Sequence, residues 1–293
     1  MTPDYITDEY LDRFIQQALQ EDVGEGDHST LCCVGKEQSA TAELLVKEDG
    51  ILAGVALALR IFHYFDPGLS VDVFLDDGAR VSRGDVAFVV NGQARSILTT
   101  ERLVLNCMQR MSGIATATRR LVEEIADTGV AIVDTRKTTP NFRLPEKWAV
   151  RIGGGQNHRL GLFDMIMLKD NHVQLAGGVR EAILLAKDYI RATGKELKVE
   201  IEVSSVEQAK EAIETGGVDV IMLDNMSPEE MQEAVKYIAK RCITEASGGI
   251  TLETIRAVAT TGVDLISVGA LTHSIKSLDL SLKIRSVNNH NLP

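Results

Sequence analysis

From residue 129 onward, short apolar runs recur and each ends in polar residues: 131–135, 165–169, 198–203, 218–223, 243–246 and 265–268. Between them lie stretches with apolar residues at helical spacing, 179–192, 206–214, 228–240 and 252–260, the third with Ser227 as N-cap and Pro228 in its first turn. Buried strands alternating with helices predict a parallel sheet. Polar residues at nearly every strand end favour a closed ring, because only a ring gathers them on one rim.

The first part of the chain has a different pattern. Leu11, Phe14, Ile15, Ala18 and Leu19 predict an amphipathic helix over 8–20, and residues 21–30 read as a loop in which Asp27 can cap a downstream element. A strand is expected over 40–47, then a helix reaching about residue 65, then strands over 69–75, 86–90 and 95–98 separated by turn signals such as Asp76-Asp77-Gly78 and Asn91-Gly92. Short turns favour an antiparallel sheet, hence an α+β domain. Residues 101–127 carry a long helical period, with Gly113 expected as the joint between two helices. The expected organisation is an N-terminal α+β open-sandwich domain over 1–113, an irregular parallel β/α barrel over 114–274, and a C-terminal helix over 275–293 packing back on the first domain.

Charge changes this picture locally. The chain as a whole carries a net charge of -11, yet the stretch 134–172 holds seven Lys or Arg against four carboxylates. A basic segment in an acidic chain points to a focused anion site, and the acidic balance with only 4% aromatic residues argues against nucleic acid as partner. Arg136, Lys137 and Lys169 fall just past the ends of two predicted strands, where parallel β/α folds build their sites. Gly153-Gly154-Gly155 permits either a close ligand approach or a plain turn. Ser247-Gly248-Gly249 and Gly269-Ala270 come directly after two late strands and suit a phosphate cradle, while Glu202 and Asp224 add carboxylates at two middle strands. Those acids could serve proton transfer, magnesium or sugar hydroxyls.

No run of about 18 apolar residues occurs, and the N-terminus opens on a polar helical segment, so a cytoplasmic protein with no membrane partner is expected. Cys32, Cys33, Cys107 and Cys242 have neither the CxxC nor the histidine spacing of a zinc site, and the adjacent pair is expected to be buried or half-buried.

Several segments, in order and at their spacing, carry a resemblance: EDVGEGDHST (21–30), KEDGILAG (47–54), ERLVLNCMQRMSGIATAT (101–118), the basic stretch 134–172, KVEIEV (198–203), MLDN (222–225), EASGGI (245–250) and SVGALTHS (267–274). Together they closely resemble the quinolinate phosphoribosyltransferase family over nearly the whole chain. Asn141 stands where that family usually has glycine, and Trp148 where it often has tyrosine.

The resemblance implies an irregular seven-stranded barrel and a decarboxylating pentosyltransferase of NAD biosynthesis. Quinolinate and 5-phosphoribosyl 1-diphosphate would give nicotinate mononucleotide, diphosphate and carbon dioxide, with Mg2+ on the diphosphate. It implies that Arg136, Arg159 and Lys169 hold the quinolinate carboxylates, with Arg102 from the other subunit of a homodimer. Lys137 and His158 would lie near the reacting centre and diphosphate, Thr135 would also bind substrate, Glu202 and Asp224 would face the ribose hydroxyls, and Ser247, Gly248, Gly249 and Gly269 would cradle the 5-phosphate. Lys137, Glu202 and Asp224 are the expected catalytic groups, and assembly beyond the dimer stays open. Two alternatives remain: a related phosphoribosyltransferase acting on nicotinate, and a barrel that senses phosphometabolites.

Overall fold

The computed structural model describes residues 2–288, arranged as two compact units that interleave along the chain. One comprises residues up to Ala117, Thr139–Gly154 and the segment from Ser274 onward; the other comprises Thr118–Thr138 and Gly155–His273.

The chain opens with α1 (Asp8–Val23), capped by the Thr7 hydroxyl, which accepts from Tyr10 N at 3.1 Å. Asp27 then accepts from Thr30 N at 3.0 Å and caps α2 (His28–Cys33), a short helix within the expected loop. On this surface helix Cys32 and Cys33 are exposed rather than buried, their sulfurs 3.3 Å apart. Next come β1 (Ser39–Val46), β2 (Gly50–Ile51), α3 (Val55–Phe65), β3 (Ser70–Val73), β4 (Arg80–Val81) and β5 (Val86–Gln93). Phe62 of α3 meets Phe88 of β5 edge to face, ring centroids 5.9 Å apart, in the core of this unit.

The helix α4 (Ala94–Glu124) corrects two expectations. Residues 95–98 begin the helix instead of forming a strand, and no joint occurs at Gly113. Glycine is required there by close approach, since a Cβ would run into the backbone carbonyl of Lys276.

In the second unit β6 (Ala131–Val133) leads into the basic stretch. The helix α5 (Arg143–Ile152), which belongs to the first unit, was not foreseen by periodicity. Asn141 before it has φ 61°, a left-handed value that asparagine tolerates in place of glycine, and Trp148 within it is buried. The unit continues with β7 (Ile166–Leu168), α6 (Asp170–Ala176), α7 (Val179–Thr193), β8 (Val199–Val203), α8 (Val206–Thr215), β9 (Val220–Asp224), α9 (Pro228–Ile238), β10 (Ile243–Ser247), α10 (Ile255–Ala259), β11 (Leu265–Ser267) and α11 (Ala270–His273). The strands form one parallel six-stranded sheet in the order β6-β11-β10-β9-β8-β7, and Gln156 adds a parallel bridge beside Val133. Among the described residues no ladder joins β6 to β7, so closure is incomplete there.

The last element, β12 (Leu280–Asn288), overturns the expected C-terminal helix for the residues described; 289–293 lie outside them. Leu280, Leu282 and Ile284 alternate with Ser281, Lys283 and Arg285, a period of two that suits a strand. It pairs antiparallel with β1, giving a four-stranded sheet in the order β12-β1-β5-β3.

Candidate active site

Side-chain alternation decides what each parallel strand presents. Ile201, Val203, Ile221, Leu223 and Ala246 are buried apolar residues, whereas Glu202, Met222, Asp224, Glu245 and Ser247 on the alternate face line one cavity of about 720 Å3. In register, Glu202 lies opposite Met222 and Asp224 opposite Ser247. Every strand of the sheet contributes at or just past its C-terminal end, the arrangement that a curved β/α layer uses for binding.

The cavity gathers Thr135, Arg136, Lys137, His158, Arg159, Lys169, Glu202, Asp224, Ser247, Gly248, Gly249 and Gly269, which are all the expected site residues except Arg102. Arg102 is exposed on α4 and is not among the lining residues. The basic stretch divides: Arg136, Lys137, Arg159 and Lys169 enter the cavity, while Arg143, Lys147 and Arg151 belong to the first unit. The Gly153 run does not line the cavity; Gly153 caps α5 and Gly154 turns with φ 98°.

The cations are held by local bonds. Lys137 N donates to the Thr135 hydroxyl at 3.0 Å, and Lys137 O accepts from the Thr272 hydroxyl at 2.8 Å. Lys169 N donates to His172 Nδ1 at 2.9 Å. Arg159 is nearly buried; its Nη1 donates to Met165 O at 3.4 Å, and burial, then the charge of Arg136, lowers its pKa. Two cations placed this close favour an anion between them.

The carboxylates show the opposite strain. Burial, then repulsion by Asp224, raises the Glu202 carboxyl, and Asn225 Nδ2 holds Asp224 Oδ2 at 2.7 Å. Gly248 is sterically required, with φ 103° and the space for a Cβ taken by Asn225, whereas a Cβ on Gly269 would press 3.1 Å from Lys137 Cδ and displace that side chain. Bare backbone at these two loops leaves room for a phosphate.

Three buried acids escaped the sequence pattern. Asp134 accepts His158 N at 3.0 Å and Asn157 Nδ2 at 2.5 Å. Glu200 and Glu245, both fully buried, bring carboxylate oxygens to 2.8 and 3.4 Å from His158 Nε2. The visible signal was the alternation Val199-Glu200-Ile201-Glu202-Val203, which puts two glutamates on one face of a buried strand. His158 itself cannot serve as a free donor, because its Nδ1 accepts the N–H of Arg159 at 2.8 Å while Nε2 faces the glutamates. Burial would lower the His158 pKa, but the glutamates outweigh it and push it up to about 10. Burial also raises Glu200. With Nδ1 already accepting, the proton retained by His158 and Glu200 lies on the Nε2 side of the ring.

These features define the class: a parallel β/α protein with a cavity at the C-terminal rim of its sheet, lined by cations, carboxylates and glycine loops. The family's N-terminal domain, "Quinolinate phosphoribosyl transferase, N-terminal domain", matches residues 27–112 and its C-terminal domain matches 114–283. A probable nicotinate-nucleotide pyrophosphorylase (carboxylating) of Bacillus subtilis is 44% identical, covering 95% of this chain and 94% of the relative. A mitochondrial quinolinate phosphoribosyltransferase (decarboxylating) of Nicotiana glauca is 45% identical over 94% of this chain and 82% of its own length. The crystal structure of NadC from Streptococcus pyogenes superposes with a TM-score of 0.90 at 43% identity, covering 97% and 98% of the two chains. The chain belongs to the quinolinate phosphoribosyltransferase family.

Proposed function

We propose that this chain transfers the phosphoribosyl group of 5-phosphoribosyl 1-diphosphate to the nitrogen of quinolinate, releasing diphosphate and carbon dioxide and supplying nicotinate mononucleotide for NAD biosynthesis. The observation that carries this reading is that Arg136, Lys137, Arg159 and Lys169 share one cavity with Glu202, Asp224 and the two glycine loops. A dicarboxylate base, a sugar phosphate and a diphosphate together need that many cations; a base with a single carboxylate does not.

In this proposal Arg136, Arg159 and Lys169 bind the pyridine carboxylates, with Arg102 supplied by a second copy. Lys137 faces the leaving diphosphate near Thr135. Glu202 and Asp224 bind the ribose hydroxyls, and their charge stabilises the oxocarbenium-like transition state as the C–O bond to diphosphate breaks. Ser247, Gly248, Gly249 and Gly269 hold the 5-phosphate. After transfer, the C2 carboxylate leaves as carbon dioxide. Its electron pair stays on the ring beside the cationic pyridinium nitrogen until a proton replaces it, and the neighbouring cations stabilise that charge. Mg2+ would be held through the diphosphate and ribose oxygens of the substrate and would neutralise the leaving charge.

A homodimer is the companion proposal. Leu162, Phe163, Leu175, Leu185 and Tyr189 are exposed apolar side chains around the unpaired edge at β7, and a second copy would cover them. We also place the protein in the cytoplasm: its four cysteines are unpaired, and no described helix is long and apolar enough to cross a membrane.

The test is to incubate the purified protein with 5-phosphoribosyl 1-diphosphate, Mg2+ and either quinolinate or nicotinate, measuring carbon dioxide and nicotinate mononucleotide. Product from quinolinate alone is expected. Product from nicotinate alone would overturn the carboxylate assignments.

A further inference from the structure

Glu200 and Glu245 stand on strands separated by β9, yet both direct a carboxylate at the same nitrogen of His158. Neither has any surface in water, and none of their four oxygens has an aligned hydrogen-bond donor, despite an Nε2 to Oε2 separation of 2.8 Å. Two buried carboxylates of this kind are costly unless something holds them in place.

A metal ion is one way to satisfy such a cluster, since the three ligand atoms lie within 4.8 Å of one another. The ring chemistry argues against it. His158 Nδ1 accepts the Arg159 N–H, so in a neutral ring Nε2 carries the hydrogen, and a nitrogen that carries hydrogen has no lone pair for a metal. A shared proton fills the cluster instead.

The ring is therefore a strut. One nitrogen lies in close contact with both glutamate carboxylates, the other accepts from the backbone of the next residue, and the His158 amide donates to Asp134. That next residue is Arg159, which lines the cavity and feels the Glu200 charge. We propose that Glu200 and Glu245 are positioning residues that act through the His158 ring to hold loop 156–159 and aim Arg159 at a carboxylate of the aromatic base. That the ligand of Arg159 is a base carboxylate rests on the functional reading above; the strut does not.

The experiment uses the full chain with E200A, E245A, E200Q and E245Q. The alanine variants are expected to raise KM for quinolinate roughly tenfold to a hundredfold, with KM for the phosphoribosyl donor within about twofold of wild type, because only the base pocket is misplaced. Glutamine still accepts from Nε2–H and should restore most of the loss. A second readout, independent of turnover, is the nitrogen NMR signature of the His158 ring. Wild type should show a protonated Nε2 and a bare Nδ1 at neutral pH, and the alanine variants a mixture of tautomers. Equal rises in both KM values, failure of glutamine to rescue, or a protonated Nδ1 in wild type would each overturn the proposal. A wild-type protein that ignores quinolinate would instead sink the functional reading, and the ring spectrum would still decide the strut.

Discussion

The Thr272 hydroxyl donates to the backbone carbonyl of Lys137 at 2.8 Å, tying α11 to the loop after β6. A buried hydroxyl thereby fixes the backbone of an exposed cation. Thr272→Val should cost about 1 kcal/mol of stability, the net value of one such bond. It should also lower kcat while leaving KM for both substrates nearly unchanged, and Thr272→Ser should recover both. Thermal melts and steady-state kinetics on the two variants check this.

Lys137 makes no large packing contribution, since its side chain is exposed in the cavity mouth. Lys137→Ala should keep the wild-type melting temperature and lose on the order of a hundredfold in kcat, the scale of removing one pre-placed charge from a transition state. Near-wild-type turnover would end the electrostatic role assigned to it.

Glu202 is raised by burial and then by Asp224, so the acid side of its titration lies above that of an ordinary glutamate. If the ionised carboxylate is what faces the ribose, activity should fall at correspondingly higher pH on the acid limb. Asp224→Asn removes the repulsion, which lowers the Glu202 pKa. The acid limb of the residual activity should then move to lower pH, and a limb that stays put would remove Glu202 from the profile.

The shared-site proposal predicts complementation. Arg102→Ala and Lys169→Ala subunits should each be inactive alone, but mixed one to one they should regain about a quarter of wild-type activity, because half the dimers would carry one intact site. No recovery after verified subunit exchange would place Arg102 outside the site.

The buried cluster gives a stability signature. Because Nδ1 accepts the Arg159 N–H, the proton that the His158 site keeps from the ordinary 6.5 up to about 10 lies between Nε2 and the carboxylates and not on Nδ1. A group with a raised folded pKa contributes stability that is complete below the unfolded value and is lost as pH climbs through the folded one. Melting temperature should therefore fall between pH 7 and about 10, and His158→Gln should flatten that slope.

Much of the fold could be read locally. The Ser227-Pro228 start of α9 announced itself, and the structure completes it with Glu230 Oε2 accepting Ser227 N at 2.8 Å. The parallel strands were legible because each is a continuous apolar run, and the candidate site was legible with them because polar residues sit where those runs stop. What misled was helix onset at Ala94 and the strand over residues 280–288. There, short stretches satisfy more than one period, and pairing with distant partners decides.

The sequence by itself determined the βα rhythm, the placement of cations, carboxylates and glycines at strand ends, and, through its ordered motifs, the family. Only the tertiary structure decided which of the basic residues share a cavity. Arg136 and Lys137 stay with it while Lys147, ten positions further on, is buried in the other unit. It alone brought Glu146 to Arg110 at 2.8 Å, and Glu200 and Glu245 to one histidine. The physical reason is that periodicity reports which face of a segment leaves water. It carries no information about which other buried face that segment meets, and burial of charge is settled only when the partners arrive together.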